Sequence, residues 1–317
     1  MAISAAAATM AFGVAGCGGD NGSGDHSGHS TTIDHAFGQT TIEGVPTRVV
    51  ALGSQWLDAS ESLGVTPVGY IDNVSMTNGG APVPWKPDSL QSSTKIDVQG
   101  VIEEQVAALD PDLILAPGFG ADKSMLDKLN SLAPTIPTLS TSQVDKWEDQ
   151  VTVLGKVFHK EDEATKVIDD LGSRIDAIKQ QNPSLDGKSF LTAYLASPTQ
   201  LMVLADPNDG ASELFTRLGM QLPQKLVDEA GSAGRIPLSP ERIADLNTDL
   251  LVATAAPGME QTFKTLPGYA DLPAARNGTL VFLDITSGTG LNVPTPLSLP
   301  YVLDRLEPTL TKVGQQQ

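Results

Sequence analysis

Short aliphatic runs alternate with segments of helical periodicity along the first half of the chain. Buried strands are predicted at 48–54 (RVVALGS) and 65–70 (VTPVGY). In the segment between them, 55–64, the apolar residues have the spacing of one face of a helix. A helix at about 101–109 followed by the strand 112–116 (DLILA) repeats the pattern. Strands joined through helices by short links pair in parallel, so the pattern predicts an α/β protein with parallel sheets.

A long amphipathic helix is predicted in the middle of the chain. From Ala164 to Ile178 apolar residues recur three or four positions apart, and Asn182 before Pro183 ends the pattern. The predicted helix spans about 160–182, which is about six turns. Alternating strand and helix patterns then return at 189–196, 201–205, 212–219, 250–255, 279–284 and about 297–310.

Two segments of the chain repeat one another without a gap. Residues 101–116 can be laid over 238–253, and each unit predicts a short helix, a tight link and a buried strand. Six positions are identical: Glu104/Glu241, Ala107/Ala244, Leu109/Leu246, Asp112/Asp249, Leu113/Leu250 and Ala116/Ala253. The apolar matches follow from the fold unit alone. The matched glutamates have two explanations: the helix dipole favours an early carboxylate, or two lobes present equivalent exposed acids.

Composition and charge narrow the class of protein. The 317 residues suffice for two lobes with separate cores, and no run of eighteen apolar residues could span a bilayer. The net charge of −18, from 38 acidic and 20 basic residues, argues against the nucleic-acid backbone as a partner, because binding there depends on Lys and Arg.

The single cysteine, Cys17, excludes an intramolecular disulfide and a cysteine-rich zinc site. Three interpretations remain: Cys17 is a catalytic nucleophile, a small residue without a chemical role, or a processing site. The polar, Gly-rich segment after it could not hold a nucleophile rigidly. An apolar stretch ending in Ala15 and Gly16 before it predicts a secretory signal with a bacterial lipoprotein cleavage box. Residues 1–12 lack the usual Lys or Arg, which leaves open a true start further upstream.

Several motifs in a fixed order carry a family resemblance. They are VAGC, RVVALGSQWLDASESLGVTPVGY, EEQVAALDPDLILAPG, the helix around EDEATKVIDDLGSRI, ERIADLNTDLLVATA and LSLPYVLDRLEPTL. Together they resemble the substrate-binding lipoproteins of iron–siderophore ABC importers, a family that includes vitamin B12- and haem-binding members. The resemblance spans nearly all of 34–310. It implies two Rossmann-like lobes joined by one rigid helix, the class III periplasmic binding protein fold, with ligand held in the cleft between the lobes.

The resemblance also implies an organisation and partners. The expected segments are a signal at 1–17 ending at lipidated Cys17, a flexible tether at 18–33, an N-terminal lobe at 34–146, a helical connector at 147–185 and a C-terminal lobe at 186–317. In this family a surface glutamate on each lobe docks on arginines of the membrane permease dimer, and Glu104 and Glu241 hold the matching positions. The expected protein is a monomer, lipid-anchored on the outer face of the bacterial cytoplasmic membrane.

Ligand-binding residues are expected in the loops after the strands, where open α/β sheets bind ligands. The candidates are Gln55, Trp56, Tyr70, Trp85, Phe119, Tyr194, Arg235 and the 286–292 loop. Each of the two tryptophan rings could stack on a bulky chelate, or it could pack against its own loop and hold that loop in place. Arg235 suits a siderophore oxygen, and the alternative is a surface salt bridge. Because the loops offer only Arg235 and Lys86 as cations, a neutral or weakly charged hydroxamate-type ferric siderophore is the expected ligand.

Other functions find less support. An extracellular hydrolase would need G-x-S-x-G and a later histidine, but the motif is absent and the last histidine is His159. Nucleotide-binding glycine motifs are absent too, so no enzymatic activity and no cofactor are expected. A zinc- or manganese-binding lipoprotein would need histidines or carboxylates between the lobes, and outside the tether, which holds His26 and His29, only His35 and His159 remain. Haem and cobalamin stay open as ligands.

Overall fold

The computed structural model describes residues 30–116 and 123–316, which form two five-stranded sheets flanked by helices. The predicted α/β fold class is confirmed. The elements of the first half are β1 Ser30–His35, β2 Gly38–Glu43, β3 Val49–Ala51, α1 Ser54–Ser62, β4 Gly69–Tyr70, α2 Asn73–Thr77, β5 Thr94–Lys95, α3 Ile102–Ala107, β6 Leu113–Leu115, α4 Lys123–Asn130, β7 Thr135–Ile136 and α5 Trp147–Phe158. The first sheet has the order β5-β4-β3-β6-β7 and is parallel throughout.

The second sheet is mixed rather than wholly parallel. The remaining elements are α6 Glu161–Gln181, β8 Phe190–Ser197, β9 Gln200–Leu204, α7 Gly210–Arg217, α8 Gln224–Ala230, β10 Arg235–Leu238, β11 Leu250–Ala255, α9 Glu260–Lys264, α10 Pro273–Asn277, β12 Leu280–Leu283, α11 Ile285–Asn292 and α12 Ser298–Gly314. The sheet order is β10-β9-β8-β11-β12, and β9 pairs antiparallel with both β8 and β10. Only two residues connect β8 to β9, too few for the crossover that a parallel pair requires.

The aliphatic pattern predicted no strand before residue 48, but β1 spans Ser30–His35 and β2 spans Gly38–Glu43. β1 and β2 form an antiparallel hairpin whose polar sequence buries mainly Ile33 and Ile42, so it lacks a strong apolar alternation. The Thr40 hydroxyl donates to the Thr135 carbonyl at 2.6 Å and fixes the hairpin to β7.

The repeated segments occupy equivalent places in the two sheets. β6 and β11 are each fourth in their sheet order, beside β3 and β8 respectively. The Asp112 carboxylate accepts hydrogen bonds from the amides of Thr47 (2.7 Å) and Arg48 (2.8 Å), just before β3. The Asp249 carboxylate accepts from the amide and hydroxyl of Ser189, both at 2.7 Å, just before β8. The matched aspartates therefore hold the start of the neighbouring strand in each lobe.

The long helix α6 packs closely against α5. A Cβ atom at Gly155 would lie 2.6 Å from Cβ of Ala164, so only glycine permits this approach. The buried face of α6 includes Ala164, Leu171, Ile175 and Ile178, the apolar stripe seen in the sequence. Within residues 30–116 and 123–316, no helix is long and apolar enough to cross a membrane.

A cluster of charges joins α5 to the second half of the chain. The Arg217 guanidinium of α7 lies 3.0 Å from the Asp176 carboxylate of α6 and 4.0 Å from that of Glu148 in α5. Lys146 pairs with Glu213 of α7 at 3.1 Å. Burial, followed by repulsion from Glu213, raises the pKa of Glu148 to about 7.

We expect Glu148→Gln to remove a pH-dependent loss of stability. Because the folded-state pKa of Glu148 is raised, ionising this carboxyl lowers the free energy of unfolding of the wild type as the pH rises from about 4.5 to about 7. The neutral glutamine causes no such loss. The variant should therefore gain about 3 kcal/mol over wild type well above pH 7 and nothing well below pH 4.5. Urea unfolding at both ends of this range measures the difference, and a constant difference would contradict the assignment.

Candidate ligand-binding cleft

A cavity of about 680 Å³ lies between the two halves of the chain. Its walls come from the start of α1, from α2, from residues 143–144 before α5, from strands β8 to β10 and from the end of α11. The Gln55 amide nitrogen of α1 donates to the carbonyl oxygens of Asp145 (3.1 Å) and Pro294 (3.2 Å), so one side chain of the first lobe reaches the second. The cavity volume falls in the range of small-molecule sites.

Four of the seven predicted ligand residues line this cavity: Gln55, Trp56, Tyr194 and Arg235. Trp56 is only 2% exposed, and its indole nitrogen donates to the Ala116 carbonyl at 2.9 Å, so the ring is fixed in place. Tyr194 lies in β8 and is half-buried. Phe119 and Cys17 lie outside the described residues.

Tyr70 and Trp85 do not line the cavity. Tyr70 ends β4, and burial, followed by repulsion from Asp72, raises the pKa of its phenol. The Trp85 ring instead fills a contact between the lobes, with its centroid 5.2 Å from that of Tyr301 in α12. The Trp85 ring also packs directly on Gly290 of α11. A Cβ atom at residue 290 would lie 2.7 Å from the indole, so only glycine fits there.

A buried carboxylate, Asp58 of α1, holds this contact together. It is fully buried, and it accepts hydrogen bonds from the Trp85 indole (3.1 Å) and from the Thr295 hydroxyl (2.7 Å) of the second half. It also forms an ion pair with Lys86, whose side chain is 9% exposed. Burial raises the pKa of Asp58, and the Lys86 ammonium opposes that effect. Lys86 therefore serves the lobe contact and does not face the cavity.

Arg235 is the only charged side chain among the described residues that line the cavity. Its Nη1 atom lies 2.8 Å from the buried Asp209 carboxylate and 2.7 Å from the Gln143 side-chain oxygen. The sequence left ligand contact and an ion pair as alternatives for Arg235, and the structure contains the ion pair at the cavity wall. Burial raises the pKa of Asp209, with Arg235 acting in the opposite direction.

Several polar cavity residues escaped the sequence reasoning, among them Asn73, Gln143, Gln150 and Thr192. Gln150 sits on the buried face of α5 with Trp147, Val151 and Leu154, and its side-chain oxygen has no partner among the described residues. A glutamine at an apolar position of the helical period was the signal that could have indicated it. The predicted 286–292 loop is instead part of α11, and its Thr289 and Asn292 do reach the cavity.

Glu104 and Glu241 are both exposed, one in α3 and the other in the 3₁₀ helix Pro240–Leu246. Within the described residues neither carboxylate forms an ion pair, whereas the adjacent Glu103 pairs with Lys128 at 3.0 Å. Each precedes an equivalent strand of its sheet, β6 or β11.

A two-lobed α/β fold with a cleft between its lobes defines a solute-binding protein, and residues 49–285 match the model of the periplasmic binding protein family, to which the chain belongs. It is 28% identical over 273 residues to the Fe(3+)-citrate-binding protein YfmC of Bacillus subtilis, covering 84% of this chain and 82% of that one. It is 24% identical to the ferric-anguibactin-binding protein FatB of Vibrio anguillarum, covering 80% and 79%.

Solved structures share the fold. A periplasmic solute binding protein from Mycobacterium smegmatis has a TM-score of 0.72 at 29% identity, covering 90% of this chain and 99% of that one. Staphylococcus aureus SirA, complexed with staphyloferrin B, has a TM-score of 0.75 at 24% identity, covering 88% and 98%.

We expect Asp58→Asn to destabilise the protein by up to about 3–5 kcal/mol, because the buried Lys86 would lose its nearer carboxylate and keep only Asp72, 3.7 Å away. The double variant Asp58→Asn with Lys86→Met should recover much of that loss, since both charges are gone. Urea unfolding of the wild type, both single variants and the double variant measures the coupling. Additive losses would contradict the role of this pair.

Proposed function

We propose that this chain is an extracytoplasmic solute-binding lipoprotein that captures a ferric siderophore in the inter-lobe cleft and delivers it to an ABC permease. The observation that carries the proposal is the cavity of about 680 Å³, whose walls come from both lobes and combine apolar surface with several uncharged polar side chains. A ferric siderophore has an apolar carbon framework and many oxygen atoms, and a cavity lining with both apolar and uncharged polar groups suits it. Relatives named for ferric citrate and ferric anguibactin support the ligand class.

The polar groups of the cleft suit the oxygen atoms of such a chelate. Gln150 offers an unpaired carbonyl oxygen to a ligand donor, while Tyr194 and the remaining N–H groups of Arg235 can donate to ligand oxygens. Trp56 and the aliphatic residues Val203 and Leu204 supply apolar contact. Tyr70, Trp85 and Phe119 are not needed for this proposal.

Delivery is proposed to use Glu104 and Glu241. Both are exposed, both lack an ion-pair partner within the described residues, and they precede equivalent strands of the two sheets. Paired acids of this kind suit two arginine clusters on a permease dimer. Lipidation of Cys17 would keep the protein beside that permease.

The purified protein should be stabilised by a ferric siderophore and unaffected by zinc. A ligand that binds only the folded state, at a hundredfold excess over its Kd, adds about 2.7 kcal/mol. Thermal unfolding with ferrichrome, ferrioxamine, ferric citrate, a ferric catecholate, haem and cobalamin measures this directly. Tyr194→Ala should weaken the shift, and Tyr269→Ala, outside the cavity lining, should not. A shift with zinc chloride alone, or with haem or cobalamin alone, would overturn the siderophore assignment.

Charge reversal of Glu104 and Glu241 to lysine should abolish uptake and leave ligand affinity unchanged. The reason is that neither carboxylate lines the cavity, whereas both would repel arginines of the permease after reversal. Uptake of the labelled chelate is measured in cells lacking their own copy of the gene. The matched control reverses Asp127 and Glu260, which are exposed acids on the same two lobes. Equal loss of uptake in the control, or lost affinity in the test variant, would contradict docking.

A further inference from the structure

Among the described residues the cleft wall contains one cation, Arg235, and a buried carboxylate already neutralises it. Arg235 is the only charged residue of the described lining, and residues 117–122 (PGFGAD), which the structure does not describe, contain no Lys or Arg. Lys86, the other loop cation, pairs with Asp58 between the lobes. Any positive charge available to a ligand must therefore come from Arg235.

Asp209 holds the compensating negative charge in a fixed position. Its carboxylate is 1% exposed, and one oxygen accepts from the Ala211 amide at 2.9 Å as the N-cap of α7 while the other binds Arg235. The next residue, Gly210, donates its amide to the Val144 carbonyl at 3.0 Å, and a Cβ there would lie 2.3 Å from the Asp145 carbonyl oxygen. Backbone contact on this side and the helix cap on the other hold the carboxylate beside Arg235.

A neutral pair discriminates between ligands by their charge. Arg235 has five N–H donors, so those not facing Asp209 and Gln143 can still bind an uncharged oxygen. A polyanionic chelate loses its hydration on entering the cleft and meets no net positive charge to offset that cost.

On the basis of the proposed function, we propose that Asp209 is a specificity-determining residue that cancels the charge of Arg235. The cleft therefore favours ferric chelates of net charge near zero over polyanionic ones. This chain then shares the class of ferric chelates with the B. subtilis relative but does not prefer the particular chelate in that relative's name, ferric citrate.

The test compares the Kd of ferrichrome, a neutral chelate, with that of anionic ferric citrate by tryptophan fluorescence. Wild type should prefer ferrichrome by at least about tenfold, and Asp209→Asn should shift the ratio toward ferric citrate by about tenfold, because one uncompensated cation remains. Asparagine keeps the helix cap, so folding should survive. The matched control, Asp206→Asn, removes one nearby acid that does not bind Arg235 and should leave the ratio unchanged.

A second variant keeps the test independent of the folding of Asp209→Asn. Gln143 is exposed, and Gln143→Lys adds a cation beside Arg235, so it should shift the ratio in the same direction. Ferric citrate bound more tightly than ferrichrome by wild type, or an unchanged ratio in Gln143→Lys or in folded Asp209→Asn, would overturn the inference and leave the proposed function standing. If wild type binds no ferric chelate, the proposed function itself fails.

Discussion

The relation between the two lobes depends on the buried carboxylate of Asp58. It belongs to α1, yet it accepts a hydrogen bond from Thr295, 237 positions further along the chain, and from the Trp85 indole that packs on Tyr301. The first turn of the same helix carries Gln55 and Trp56 into the cavity. Because one short helix bears both the lobe contact and the cavity wall, the shape of the cleft follows from where this carboxylate is held.

The cations of the lobe contact and the cavity wall, Lys86 and Arg235, are both held by buried carboxylates, and the electrostatics of the cleft follow from that arrangement. Burying an unpaired charge is costly, so Lys86 lies between the buried carboxylates of Asp58 and Asp72, and Arg235 lies beside that of Asp209. The pair of Arg235 and Asp209 stands at the cavity wall and leaves the site without net charge. The acidic excess of the chain, a net −18, therefore lies mainly at the surface, where Glu104 and Glu241 are exposed.

Much of the fold and part of the site could be predicted from the sequence. Periodicity located the long helix and most strands, and the internal repeat located two equivalent units, because these features depend on neighbours a few positions apart. The threonine-rich β1 escaped because so few of its residues are buried. The antiparallel β9 escaped because strand direction depends on the length of a single turn. Gln150 was missed because its helix was expected only as part of the connector between the lobes.

The sequence by itself determined the α/β pattern, the repeat with its matched acids and the scarcity of cations, since each is a property of local spacing or composition. Only the tertiary structure decided which cation stays in the cleft. Lys86 and Arg235 are equivalent in the sequence, as basic residues in loops after strands. Folding places Lys86 beside Asp58 between the lobes and Arg235 beside Asp209 at the cavity wall. Burial and pairing between distant segments separate the two residues, and no local pattern records either.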